Sequence, residues 1–166
     1  MIDKKKIQSL ISGIDVTQVS SSQIVDIINR RVNRVGSFEN EDDNNMALES
    51  LAVNLCHFYE SLESMFSRIA KIVDGNMPSG GSWHDELLQQ LLSDFMQTRI
   101  PVLSMETYRA VKEYKDFRHK SYKDFAIRYD WDSMKKLVTS ASGVLHMVNR
   151  DLARFKKYLV DSLEEK

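Results

Sequence analysis

An all-α fold follows from three features of the sequence. Apolar residues recur three and four positions apart from end to end, strand-like alternation is nearly absent, and there are only two prolines and six glycines. Three-to-four spacing stacks side chains on one face of a helix, whereas a strand needs a period of two. At 166 residues, the chain suits one domain burying roughly two thirds of its unfolded surface. The expected architecture is an up-and-down bundle of four to five helices, several of them antiparallel.

Residues 1–19 read as an N-terminal segment. Ile7, Leu10, Ile11 and Ile14 favour a short helix, while Gly13, Val16 and Thr17 weaken it. The bundle domain is expected to span 20–166. Ser20, Ser21 and Ser22 offer N-caps for a helix carrying Ile24, Ile27, Ile28 and Val32. Arg30, Arg31 and Arg34 then form a solvated face. The polar stretch 36–45 supplies an Asp or Asn cap for the next helix. That helix has the strongest pattern in the chain: Leu48, Leu51, Leu55, Phe58, Leu62, Met65, Ile69 and Ile72. A stripe this regular is the seam of a bundle helix, roughly 37 Å long at 1.5 Å per residue.

Gly75 and Pro78 end this helix through a left-handed cap and a blocked continuation. Ser82 and Asp85 read as a capping box for a third helix bearing Leu87, Leu88, Leu91, Leu92 and Phe95. Ser104 caps a fourth helix, striped by Tyr108, Val111, Tyr114 and Phe117, which delivers Arg118 at its end. Asp130 caps the last, whose seam is Met134, Leu137, Ala141, Leu145, Val148, Leu152, Phe155 and Leu159. Gly143 is a candidate kink in it.

Charge is balanced, with 23 basic against 24 acidic residues. Any nucleic-acid binding must therefore come from a local patch. The single cysteine, Cys56, precludes an internal disulfide and suits a reducing compartment. No apolar run reaches the 18 or so residues of a membrane span, and Met1–Lys6 is not followed by a signal-length apolar core. Cytoplasmic location without membrane association is the expectation. His57, His84, His119 and His146 fall in four different elements with no metal-ligand spacing, so no metal or cofactor is expected.

The stretch from Tyr114 to Trp131 stands apart. Arg, His, Lys, Tyr and Asp crowd there beyond what a periodic face explains, and the helical pattern lapses between Arg118 and Asp130. Lys115, Arg118, Lys120, Lys123 and Arg128, edged by Tyr114, Tyr122, Phe125 and Tyr129, form a candidate RNA- or phosphate-binding patch. Asp116, Asp124 and Asp130 dilute its positive field.

Several runs carry a resemblance to a known family. They are Leu51 to Glu63, Ile69 to Leu88 with its Asp-Gly, Pro-Ser-Gly and Ser-Trp-His, Pro101 to Glu106, Phe117-Arg118-His119, and Tyr129 to Trp131. Together, across roughly 46–160, they resemble the HepT-like branch of the HEPN superfamily. The resemblance implies an all-α bundle, a homodimer, and an MNT-type nucleotidyltransferase as partner. It also implies RNA as substrate, since toxin members of the family are metal-independent ribonucleases. Their active motif is an Arg followed, after a short spacer, by His-x-Tyr near the dimer interface. In such a motif a histidine, with pKa about 6.5, takes the ribose 2′-hydroxyl proton. The arginine holds the phosphate and stabilises its developing charge.

Carried over, the Arg falls on Arg118, the His position on Lys123 and the Tyr position on Phe125. Lysine, with pKa about 10.4, is protonated at pH 7 and has no lone pair, and phenylalanine has no hydroxyl, so the motif is degenerate. The implied function is a non-catalytic partner in a toxin–antitoxin or nucleotidyltransferase-linked module. Two alternatives stand beside it. One is an active metal-independent endoribonuclease using Arg118 with a displaced pair, His119 and Tyr122, three residues apart on one helical face. The other is an RNA- or nucleotide-binding module without turnover.

Overall fold

The structure, a computed structural model, describes residues 3–37, 39–124 and 128–164. The described residues form five α-helices: α1 (Lys4–Val32), α2 (Glu41–Ile69), α3 (Trp83–Leu92), α4 (Met105–Lys123) and α5 (Trp131–Glu164). No strand occurs among the described residues. The all-α bundle expected from the spacing is the fold observed.

Cross-helix contacts fix the directions. Going up α1, Gly13 meets Arg68, Ser21 bonds Ser61 at 2.8 Å, and Arg31 donates to Ser50, so α2 runs antiparallel to α1. Asp15 pairs with Lys156, Gln18 with Asn149 and Asn29 with Ser142, so α5 is antiparallel to α1 as well. The Ser104 amide donates to Asp151 at 2.8 Å and the Tyr114 hydroxyl to the Leu137 carbonyl at 2.6 Å, which sets α4 antiparallel to α5. The four long helices therefore alternate up and down, with α3 packed across α2 and α4.

The seam of α2 forms the centre of the core. Leu51, Leu55, Phe58, Leu62, Met65 and Ile69 are each fully buried, joined by Tyr59 and Phe66. Each such side chain contributes about 1.5–3 kcal/mol by leaving water. Phe58 meets Tyr114 of α4 edge-on, ring centres 5.1 Å apart, an arrangement the ring quadrupoles favour. The α5 seam is buried throughout, from Met134 to Leu159.

Helix ends follow local chemistry in most places. Asn40 caps α2 by accepting from the Asp42 and Asp43 amides. Ser104 caps α4 through the Thr107 amide, and Asp130 accepts from the Ser133 amide at the start of α5. The α2 rod continues through a π turn, Ala70–Asp74, and stops at Gly75, whose φ of 63° is a left-handed cap.

Four sequence expectations are corrected. The boundary at 19/20 falls inside α1, which is continuous from an Asp3 cap. Ser20 and Ser21 do not cap anything: their hydroxyls bond back to the Val16 and Thr17 carbonyls, a pattern compatible with a helix interior. Gly13 is accommodated because the Arg68 guanidinium lies where a Cβ would stand. The Ser82–Asp85 capping box does not form, since the Ser82 hydroxyl pairs with Glu86. The third helix ends at Leu92, with Phe95 in a separate 3-10 turn. The last helix, α5, is unbroken through Gly143, which is no correction to the candidate kink there.

A buried ion pair fastens the connection around α3. Arg99 donates Nε and Nη2 to the two oxygens of Asp74 at 2.6 and 2.8 Å, both side chains being essentially inaccessible. Its remaining donors reach the Gln90, Ser93 and Ile100 carbonyls. This clamp ties the end of the α2 rod to the chain following α3, and so fixes where the first turn of α3 sits.

Candidate functional site

Three elements converge on a cleft lined by Tyr59, Gly81, Ser82, His84, Asp85, Lys115, Arg118 and His119. One turn of α2 supplies Tyr59, Glu60 and Glu63. The first turn of α3 supplies Trp83, His84 and Asp85. The last turns of α4 supply Lys115, Arg118, His119 and Tyr122, which share a face by their three-to-four spacing.

His84 is held from two sides. Its Nδ1 pairs with the Glu63 carboxylate, and its ring stacks on Trp83 with centres 3.7 Å apart. Its Nε2 faces Arg118 Nη1 at 3.4 Å. A carboxylate only accepts and a guanidinium only donates. The neutral imidazole that satisfies both neighbours carries its proton on Nδ1 and presents the Nε2 lone pair to the cleft.

Arg118 is half-buried and loosely held. Its Nε reaches Glu60 at 3.4 Å, and its guanidinium lies 4.5 Å over the Tyr122 ring. The Tyr122 hydroxyl donates to the same Glu60 oxygen at 2.9 Å, which raises its pKa above the ordinary tyrosine value. Tyr59 lies at the floor of the cleft, wholly buried, its hydroxyl without a hydrogen bond of standard geometry. Burial, with the Glu63 charge beside it, keeps that hydroxyl protonated.

The candidate residues of the α4 segment separate in the structure. Arg118 and His119 line the cleft, with His119 exposed at its edge. Tyr122 is exposed beside Arg118. Lys115 is nearly buried and paired with Asp85 and with Asp116 at 2.8 Å. Burial opposes its charge, yet the hydrogen bonds to Asp116 and Asp85 outweigh that and hold its pKa above the usual lysine value. Lys123 is exposed in the last turn of α4, and Phe125 lies outside the described residues. Lys120 and Arg128 line a different groove with Glu113, Asp116, Phe117 and Tyr129. Tyr114 belongs to the core. The helix itself continues past Arg118 to Lys123, so the lapse of apolar pattern there marks an exposed last turn.

Sequence reasoning missed Glu60, Glu63, Trp83 and His84. The spacing of the four histidines gives no warning, because His84 meets its partners from 21 and 34 positions away. The only available hint was the Ser-Trp-His run at a helix start.

Among the described residues, no helix is long and apolar enough to cross a membrane. Searches of curated proteins and of solved structures return no match. A family model described as HepT-like protein matches residues 50–159, which takes in α3, α4 and all but the first nine residues of α2. With that match over most of its length, the chain belongs to the HepT-like family of the HEPN superfamily.

Proposed function

We propose that this HepT-like protein is a metal-independent endoribonuclease whose cleft grips the RNA backbone through Arg118. The observation that carries the reading is the state of Arg118: a guanidinium lining the cleft that, among the described residues, is held by 3.4 Å contacts and a ring face. A planar fork in that state can exchange its weak partners for a phosphate, which it binds with two parallel charge-assisted hydrogen bonds. The exposed Tyr122 ring beside it offers a surface against which an unpaired base can pack. Ribonuclease chemistry is what the family resemblance implies, and the groups in the cleft are of the kinds that chemistry uses.

The test is incubation of purified protein with total RNA and tRNA, chelator present, read on a denaturing gel. Wild type should cleave, and Arg118→Ala should be at least about 100-fold slower, the usual loss when one charge-stabilising donor is removed. No cleavage by wild type would sink the reading.

A second reading is favoured by Lys123. It stands where the family resemblance places the histidine, and its side chain is exposed. On that reading the protein is a non-catalytic partner, a homodimer in a toxin–antitoxin or nucleotidyltransferase-linked module. Silent wild type joined by an active Lys123→His/Phe125→Tyr variant would favour it.

A further inference from the structure

We infer that His84, held by Glu63, is the general base of this cleft, in place of His119 or the absent α4 histidine. The inference rests on the ribonuclease reading above and assigns its missing proton acceptor. Two independent features of the geometry point to it. The Glu63–His84 contact fixes both the ring orientation and the tautomer, leaving a lone pair on Nε2. That lone pair lies 3.4 Å from the guanidinium that would hold the phosphate, and in RNA the 2′-hydroxyl adjoins the phosphate it attacks. His119, by contrast, is exposed on α4, and among the described residues no carboxylate pairs with it.

In the resting molecule Arg118 itself occupies Nε2. A phosphate entering the cleft competes for the same Nη1, so substrate binding and exposure of the base become one event. Nε2 then takes the proton of the 2′-hydroxyl. The 2′-oxygen forms its bond to phosphorus, and the bond from phosphorus to the 5′-oxygen breaks. The 5′-oxygen leaves with a proton from solvent, and the imidazolium returns its proton to solvent. The products are a 2′,3′-cyclic phosphate and a 5′-hydroxyl end. Glu63 acts as a positioning residue, through its contact with the imidazole Nδ1.

The experiment measures cleavage of a mixed-sequence single-stranded oligoribonucleotide by the full chain in chelator, separating kcat from KM. His84→Gln should lower kcat by about 10² to 10⁴, the range of general-base contributions, with little change in KM. Glu63→Gln should lower kcat by about 10- to 100-fold, comparable to loss of a histidine-orienting carboxylate elsewhere. Added imidazole should restore part of the activity of His84→Ala and none of that of Arg118→Ala. A merely structural histidine would give no such rescue. A 2′-O-methyl version of the oligonucleotide should stay intact. His146→Gln, exposed on α5 far along the chain, is the control and should match wild type. If His84→Gln keeps more than a tenth of wild-type kcat while Arg118→Ala is silent, His84 is not the base and the ribonuclease reading stands. A loss on His119→Gln without one on His84→Gln moves the base to His119. If wild type leaves the RNA intact, both the base assignment and the reading beneath it fall.

Discussion

Arg99 and Arg118 sit at opposite extremes of commitment within one small bundle. Arg99 is inaccessible, bonded to Asp74 by two contacts under 3 Å, and its other donors are used on carbonyls. Arg118 is about a fifth exposed and meets Glu60 and His84 at 3.4 Å. The same side chain thus serves as a lock in one place and as an open hand in the other. What separates them is the number of acceptors that the surrounding backbone offers, not the residue type.

The comparison breaks most sharply under alanine substitution. Arg99→Ala strands the Asp74 charge in the interior, and removing one partner of a buried pair costs about 3–5 kcal/mol. Chemical denaturation should show that loss as a lower midpoint with an unchanged slope. Arg118→Ala should cost about 1 kcal/mol or less, since a solvent-accessible pair with 3.4 Å contacts is worth little, while abolishing cleavage. If Arg118→Ala destabilises as much as Arg99→Ala, the arginine is structural and the cleft loses its phosphate ligand.

Tyr114 sharpens the contrast between core and cleft on the helix that carries Arg118. Burial first, with the Glu113 charge adding to it, pushes its hydroxyl up to about 12, against about 10 in an unfolded chain. The folded state binds this proton more tightly, so the stabilisation is complete below pH 10. It is lost as pH rises from about 10 towards 12. Tyr114→Phe should remove that alkaline step and cost about 1 kcal/mol through the hydrogen bond to Leu137. Denaturation midpoints measured from pH 8 to 11 check both.

The smallest effect is expected at Gly143. A Cβ there meets nothing within 4 Å, and glycine inside a helix costs about 0.5–1 kcal/mol relative to alanine. Gly143→Ala should raise the melting temperature and leave cleavage unchanged. It gives a baseline for a substitution that touches neither arginine.

The helices were largely legible because their causes are local. The seam from Leu48 to Ile69, the Ser104 and Asp130 caps and the Gly75 stop each depend on neighbours within a turn or two. Expectations failed where a residue had a second use. Ser20 and Ser21 bond to carbonyls already inside a helix, and Ser82 is drawn to Glu86. Propensity ranks such serines as caps without knowing which partner will be nearest.

Sequence alone determined the fold class and the family, and singled out Arg118 as a candidate, because periodicity, turn residues and motif runs are written along the chain. The tertiary structure decided the company Arg118 keeps. Glu63, His84 and Arg118 come from three helices, and Lys115, expected to bind phosphate, is taken up by Asp85 and Asp116. Packing of α3 across α2 and α4 makes those neighbours. No spacing along the chain encodes the distance between side chains whose separation is set by how buried faces fit together.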